Sequence, residues 1–158
     1  MCTAMFKSSK LEENPIDKRV ACGFGLFEFE SNGILYFRIT NNCPTVEDAR
    51  EFNTILRQLL SISTGQVCFI IDASSLGKVL SSDVRAELGL AAKAMEEDFR
   101  DVIVPSAYVV VTNQIASITL KIMNVFFKIN VPQVVCRSVY EAQLLACKEL
   151  KNNSLALA

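Results

Sequence analysis

Apolar and polar positions divide this chain into segments of two periods. From Val20, the stretch Cys22 to Glu30 sets Phe24, Phe27 and Phe29 against small or charged neighbours, and Ile34 to Ile39 follows after Ser31, Asn32 and Gly33. Asn-Gly accepts the positive φ of a tight reverse turn, so two antiparallel strands joined as a hairpin are expected. Ala49, Phe52, Leu56, Leu59 and Leu60 then recur at helical spacing, with Thr45 as cap and Glu47 and Asp48 in the first turn, where carboxylates meet the positive helix end. Val67 to Ile71 is a continuous apolar run, as expected of a strand covered on both faces, and it finishes at Asp72. Beyond a serine-rich loop, Val84, Leu88, Ala91, Ala92, Met95 and Phe99 form one apolar stripe on a helix that Ser81 or Ser82 caps. A strand from Val104 to Val111, a helix from Asn113 to Asn130 and a strand from Gln133 to Arg137 come next. The last helix opens on Ser138 and Glu141, spaced as a reciprocal capping box.

The helix from Asn113 to Asn130 carries more apolar surface than one core-facing stripe requires. At about 100° per residue, Gln114, Ser117, Lys121, Asn124 and Lys128 fall within roughly 80°, and apolar side chains cover most of the remainder. Three readings follow: deep burial between sheet and neighbours, a homodimer or partner interface, or the wall of an apolar-ligand groove. Ile118, Ile122, Met123, Val125, Phe126 and Phe127 are the interface or groove residues, with Tyr36 or Phe52 completing a pocket wall.

Strand, strand, helix and three further strand-helix units define an α/β class. The expected architecture is a five-stranded mixed sheet with an N-terminal β-hairpin, right-handed parallel crossovers and four helices. Residues 1–19 read as a flexible arm, 20–151 as one domain and 152–158 as a frayed tail. At 158 residues the chain is long enough to bury a substantial core.

Composition narrows the chemistry. Sixteen lysines and arginines against 17 acids leave no basic field for a phosphate backbone, so nucleic acid is not an expected partner. Met1 to Val20 lacks the apolar run of a signal sequence, and Asn113, Gln114, Lys121 and Asn124 interrupt the best membrane-span candidate, so a cytoplasmic protein is expected. The six cysteines form no paired metal-binding motif, and Cys68 and Cys136 lie in apolar runs as buried thiols. With no histidine in the chain, histidine-dependent nucleophilic catalysis is excluded, and neither a metal nor a cofactor is expected.

The order of elements, together with Asn32-Gly-Ile-Leu-Tyr-Phe37, Thr45-Val-Glu-Asp-Ala-Arg50, Val110-Val-Thr-Asn113 and Asn124-Val-Phe-Phe-Lys-Ile-Asn130, resembles the bacterial STAS/SpoIIAA-like proteins. Within them it looks most like a small branch with an Asn-Phe-Phe-like segment before the last strand. The resemblance spans about Phe24 to Leu150 and implies a non-enzymatic, regulatory protein-interaction module. In the sporulation antagonists of that family, a strand ends in Asp and a phosphorylatable serine opens the next helix. Asp72 matches the strand-end acid, and Ser81 or Ser82 matches the switch serine. Here Asp83 follows the serines, where it would repel an added phosphate. Lipid-binding relatives of the same general architecture keep a small apolar ligand as the alternative to self-association or a regulatory protein partner.

Asp72, Ser74, Ser75, Asn113 and Arg137 fall at the carboxyl ends of the expected parallel strands, the rim where open α/β sheets bind ligands. The same residues can instead organise loops through side-chain hydrogen bonds to the backbone. Ser81 and Ser82 are equally well explained as caps. Catalysis by Ser74 or Ser75 would need Lys78 or a carboxylate as base, and a Ser-Lys pair four residues apart is common by chance, a weak basis for an enzyme.

Overall fold

A computed structural model describes residues 18–127 and 132–157. In chain order these form β1 (Lys18–Ala21), β2 (Gly25–Phe29), β3 (Ile34–Ile39), α1 (Val46–Ser61), β4 (Val67–Asp72), α2 (Ser82–Asp98), β5 (Ile103–Val110), α3 (Gln114–Phe127), β6 (Gln133–Cys136) and α4 (Val139–Leu157). The strands lie side by side in sequence order, β1 to β3 antiparallel and β3 to β6 parallel.

The expected mixed α/β architecture with four helices is present, but the sheet has six strands among the described residues, where five were expected. The additional strand is β1, whose Lys18 and Arg19 were assigned to the arm. It pairs with β2 from Lys18 opposite Phe29 to Ala21 opposite Leu26, and Arg19 meets Glu28 at 3.2 Å. Its charges obscure the strand signal because an edge strand holds polar side chains in solvent at little cost. At the other end, α4 continues through Asn152 and Asn153 to Leu157, past the expected boundary at 151.

The β2–β3 hairpin turns as its sequence predicts. Gly33 takes φ +90° and donates to Glu30 O at 3.1 Å, while the Asn32 side chain accepts the Ile34 N–H at 3.0 Å. Each crossover from β3 to β6 joins adjacent parallel strands in one direction, so crossovers of one hand lay α1, α2 and α3 on the same face. The chain then passes to the opposite face with α4.

Strand alternation separates two cores accordingly. Leu35, Phe37, Ile39, Val67 and Val109 face α1–α3, whereas Ile34, Tyr36, Cys68, Ile70, Tyr108 and Val110 face α4. On the first face Phe24, Phe27, Phe37 and Phe52 form a cluster with ring centroids 4.5 to 5.8 Å apart. Each such buried ring contributes roughly 1.5–3 kcal/mol. On the second, Ala142 and Ala146 are fully buried, and these small side chains let α4 lie close to β4 and β5.

Candidate functional site

The carboxyl-end rim was the generic place to look for a polar pocket, and Asp72 is its centre. Asp72 is 5% exposed. One carboxylate oxygen accepts the Ser74 N–H at 3.0 Å and the Ser74 hydroxyl at 2.5 Å, and the other accepts the Tyr36 hydroxyl at 3.0 Å. Arg38 Nε stands 3.7 Å from the same carboxylate, and its guanidinium lies over the Tyr36 ring, 5.6 Å from the centroid. Burial is the main reason the Tyr36 hydroxyl is pushed above its ordinary pKa; the neighbouring carboxylate acts in the same direction.

The rest of the rim is turned on the backbone. Ser75 donates to Ile39 O. Asn113 donates to Ser74 O at 3.3 Å and Leu76 O at 3.2 Å, while its own carbonyl accepts the Ala116 N–H at 2.9 Å and so caps α3. These bonds tie the β4–α2 loop to the start of α3. Both serine hydroxyls act as donors to a carboxylate or a carbonyl, and Lys78 is exposed. Arg137 is exposed at the end of β6, where its backbone N–H meets Glu141 at 2.7 Å. Arg38 was missing from the sequence-based set. Its signal was strand parity, since Tyr36 and Arg38 share a face and Arg38 is in register with Asp72.

At the start of α2, Ser81 is the cap, its hydroxyl accepting the Val84 N–H at 3.4 Å. Ser82 is exposed, with its hydroxyl 3.5 Å from the Asp83 carboxylate. Caps also hold α1, where Thr45 and Asp48 bond reciprocally, and α4, where the Ser138 hydroxyl accepts from Glu141. In α4 the returning Glu141 carboxylate takes the N–H of Arg137 and not that of Ser138.

On α3, Ala116 and Thr119 are buried, Leu120 is half-buried, and Gln114 and Lys121 are exposed, in line with the expected polar arc. Ile118 is 47% exposed and Ile122 half-buried. The side chains of Met123, Val125, Phe126 and Phe127 lie outside the described residues, as do Lys128 and Ile129.

Beneath α3 the packing is incomplete. A cavity of about 200 Å³ lies between the sheet and α1–α3. Leu35, Phe37, Phe69 and Val109 form its floor, Phe52 and Leu56 the α1 wall, Leu88 and Met95 the α2 wall, and Ala116 and Leu120 the α3 wall. The aromatic cluster fills the β2–β3 side of this layer. Towards β5, small side chains meet instead: Ala107 from the strand, Ala92 from α2 and Ala116 from α3 all line the void. There the register between β4 and β5 shifts, with Val67 opposite Ile103 but Phe69 opposite Ala107. Pro105, which has no N–H to give a ladder, lies inside that irregularity.

Phe52 is thus a pocket wall as expected. Tyr36 is not, because its side chain points to the α4 face and bonds Asp72.

Among the described residues, three polar side chains line the cavity: Glu96, Thr119 and Gln133. Glu96, in the last turn of α2, and Gln133, at the start of β6, are half-exposed. Thr119 is different, being 4% exposed with a hydroxyl that has no hydrogen-bond partner among the described residues. Sequence reading passed over it as neither apolar nor part of the polar arc.

Cys68 and Cys136 are fully buried, as expected, and burial pushes the Cys68 thiol up to about 12. Among the described residues no cluster of acidic or thiol side chains is placed to hold a metal ion, and no helix is long and apolar enough to cross a membrane. Comparison with known proteins finds no matching family model and no matching curated protein.

Proposed function

We propose that this protein binds a small apolar molecule in the cavity between its sheet and α1–α3. The observation that carries this reading is a 200 Å³ cavity walled mostly by apolar side chains, in a class of interior that ordinarily packs densely. Dry apolar cavities of about 150 Å³ take up benzene, which sets the guest here at roughly six to eight heavy atoms. At about 0.8 kcal/mol per buried methylene, a seven-carbon guest gains about 5–6 kcal/mol, a dissociation constant between roughly 1 mM and 1 μM. Titration of the folded protein with toluene and 1-heptanol, followed by NMR, tests this. Saturable shifts at Ala107, Ala116 and Leu120 support it, and their absence up to the solubility limit of both compounds would refute it.

A second reading is favoured by the 47% exposure of Ile118 beside the polar arc of α3. In keeping with the resemblance to STAS-like modules, α3 then joins two copies of the chain. Ile118→Asp should convert a dimer to monomer in analytical ultracentrifugation; a variant that sediments like the parent removes this interface.

A further inference from the structure

We propose that the guest is a neutral aliphatic molecule bearing one hydrogen-bonding oxygen, an alcohol or ketone in chemical class, and that Thr119 recognises that oxygen. This rests on the cavity being a guest site.

The first argument is the state of the Thr119 hydroxyl. A hydroxyl within a helix ordinarily bonds the carbonyl four residues back. In this chain Thr54 does so to Arg50 at 3.0 Å, Ser61 to Arg57 at 2.7 Å and Ser154 to Leu150 at 2.9 Å. Those three are exposed and could have been left to water. Thr119 is buried, where an unmet hydroxyl is costly, yet its oxygen has no partner among the described residues. A guest oxygen on the cavity wall can accept from this hydroxyl, and an alcohol can also donate to it.

Charge supplies the second argument. No lysine or arginine is among the described lining residues, and Glu96 is the one ionisable side chain there. A carboxylate guest would give up its hydration with no lysine or arginine among the described lining residues to replace it. An ammonium guest would likewise give up its hydration, and the half-exposed Glu96, which has a partner of its own, offers it no unengaged buried counter-charge. Only a neutral oxygen satisfies Thr119 without burying an unpaired charge.

The test is calorimetric or NMR titration of the full chain at pH 7.5 with 1-heptanol, 2-heptanone, heptane, heptanoate and heptylammonium. Parent, Thr119→Val and Thr119→Ser proteins are compared, with circular dichroism confirming the fold of each. The valine variant should weaken 1-heptanol and 2-heptanone by roughly fivefold, the worth of one neutral hydrogen bond, and leave heptane unchanged. The serine variant should restore the two oxygenated guests, and heptanoate should bind the parent at least about tenfold more weakly than 1-heptanol. Heptanoate or heptylammonium binding as tightly as 1-heptanol overturns the neutral class. Equal losses for heptane and 1-heptanol, or no loss for either, overturn the role of Thr119. If folded protein takes up none of the five, the cavity reading fails and this inference fails with it.

Discussion

Filling the cavity from the strand side should stabilise the protein and abolish guest binding together. Ala107 lies on β5, on the same face as Val109, and borders the void. Ala107→Ile adds three carbons of a β-branched side chain, a shape that suits a strand. Cavities enclosed in protein cores cost about 24 cal/mol per Å³, so this 200 Å³ space, which is partly open, costs at most about 5 kcal/mol against a filled core. Three methylene-sized groups occupy somewhat under half of it and should recover roughly 2 kcal/mol, equivalent to a rise of about 4–8 °C in melting temperature for a chain of this size. Urea denaturation is the assay, because an increased midpoint at constant slope reports stability without a change in the denatured state. The same sample should lose its response to 1-heptanol. A loss of about 1 kcal/mol or more, with 1-heptanol still binding, would mean that Ala107 meets packed atoms and that the void lies elsewhere; overpacking in a filled core has that signature.

Three further outcomes follow from the same contacts. Thr119→Val should stabilise the guest-free protein by about 1 kcal/mol or more in urea denaturation, because it removes an unmet buried hydroxyl without changing volume. Asp72→Ala strips acceptors from the Ser74 N–H and the Tyr36 hydroxyl and should cost about 2–4 kcal/mol by the same assay, whereas a loss below about 0.5 kcal/mol would deny Asp72 its place in holding the loop. The Cys68 thiol is raised from 9.0 to about 12 by burial, so between those pH values the folded chain keeps a proton that the unfolded chain has lost. Stability should therefore decline as pH rises through that window, and Cys68→Ala should make the decline shallower than in the parent.

Sequence periodicity was sufficient where burial is one-sided or complete. The hairpin at Asn32 and Gly33, the Thr45 cap, the apolar run Val67 to Ile71 and the stripe of α2 were each visible because a period, a cap or a turn residue states its own requirement. Two kinds of feature were not. β1 has charged residues because it is an edge, and its pairing with β2 is a tertiary fact that no local pattern encodes. Asp72 and Ser74 were legible as neighbours two residues apart, but Arg38 reaches Asp72 only through the parallel register of β3 and β4. The cavity was the least visible. Alanine at 92, 107 and 116 is unremarkable at each position, and a void appears only when three elements turn their small side chains towards one volume.

The same topology explains why that void lies on one face of the sheet and not the other. On the α4 face a single helix must cover β4 to β6, and its fully buried Ala142 and Ala146 let it close on Ile70 and Val110. On the opposite face three helices are laid down by successive crossovers, with α1 packed on α2 and α2 on α3. Phe27 and Phe37 from the strands pack on Phe52 of α1 with ring centroids 4.5 to 5.1 Å apart, so aromatic rings fill the layer there. Towards β5 the lining side chains are smaller, with Ala92, Ala107 and Ala116 bordering the cavity. Replacing Phe52, a wall of the cavity, with leucine should enlarge the guest volume and lower stability, because the surrounding core relaxes only partly. Filling at Ala107 should exclude 1-heptanol with a gain in stability, whereas trimming Phe52 should keep 1-heptanol binding, with a loss in stability. Effects of opposite sign on both stability and binding are the signature of one cavity with Ala107 and Phe52 on its walls, and a folded Phe52→Leu protein that no longer takes up 1-heptanol would refute it.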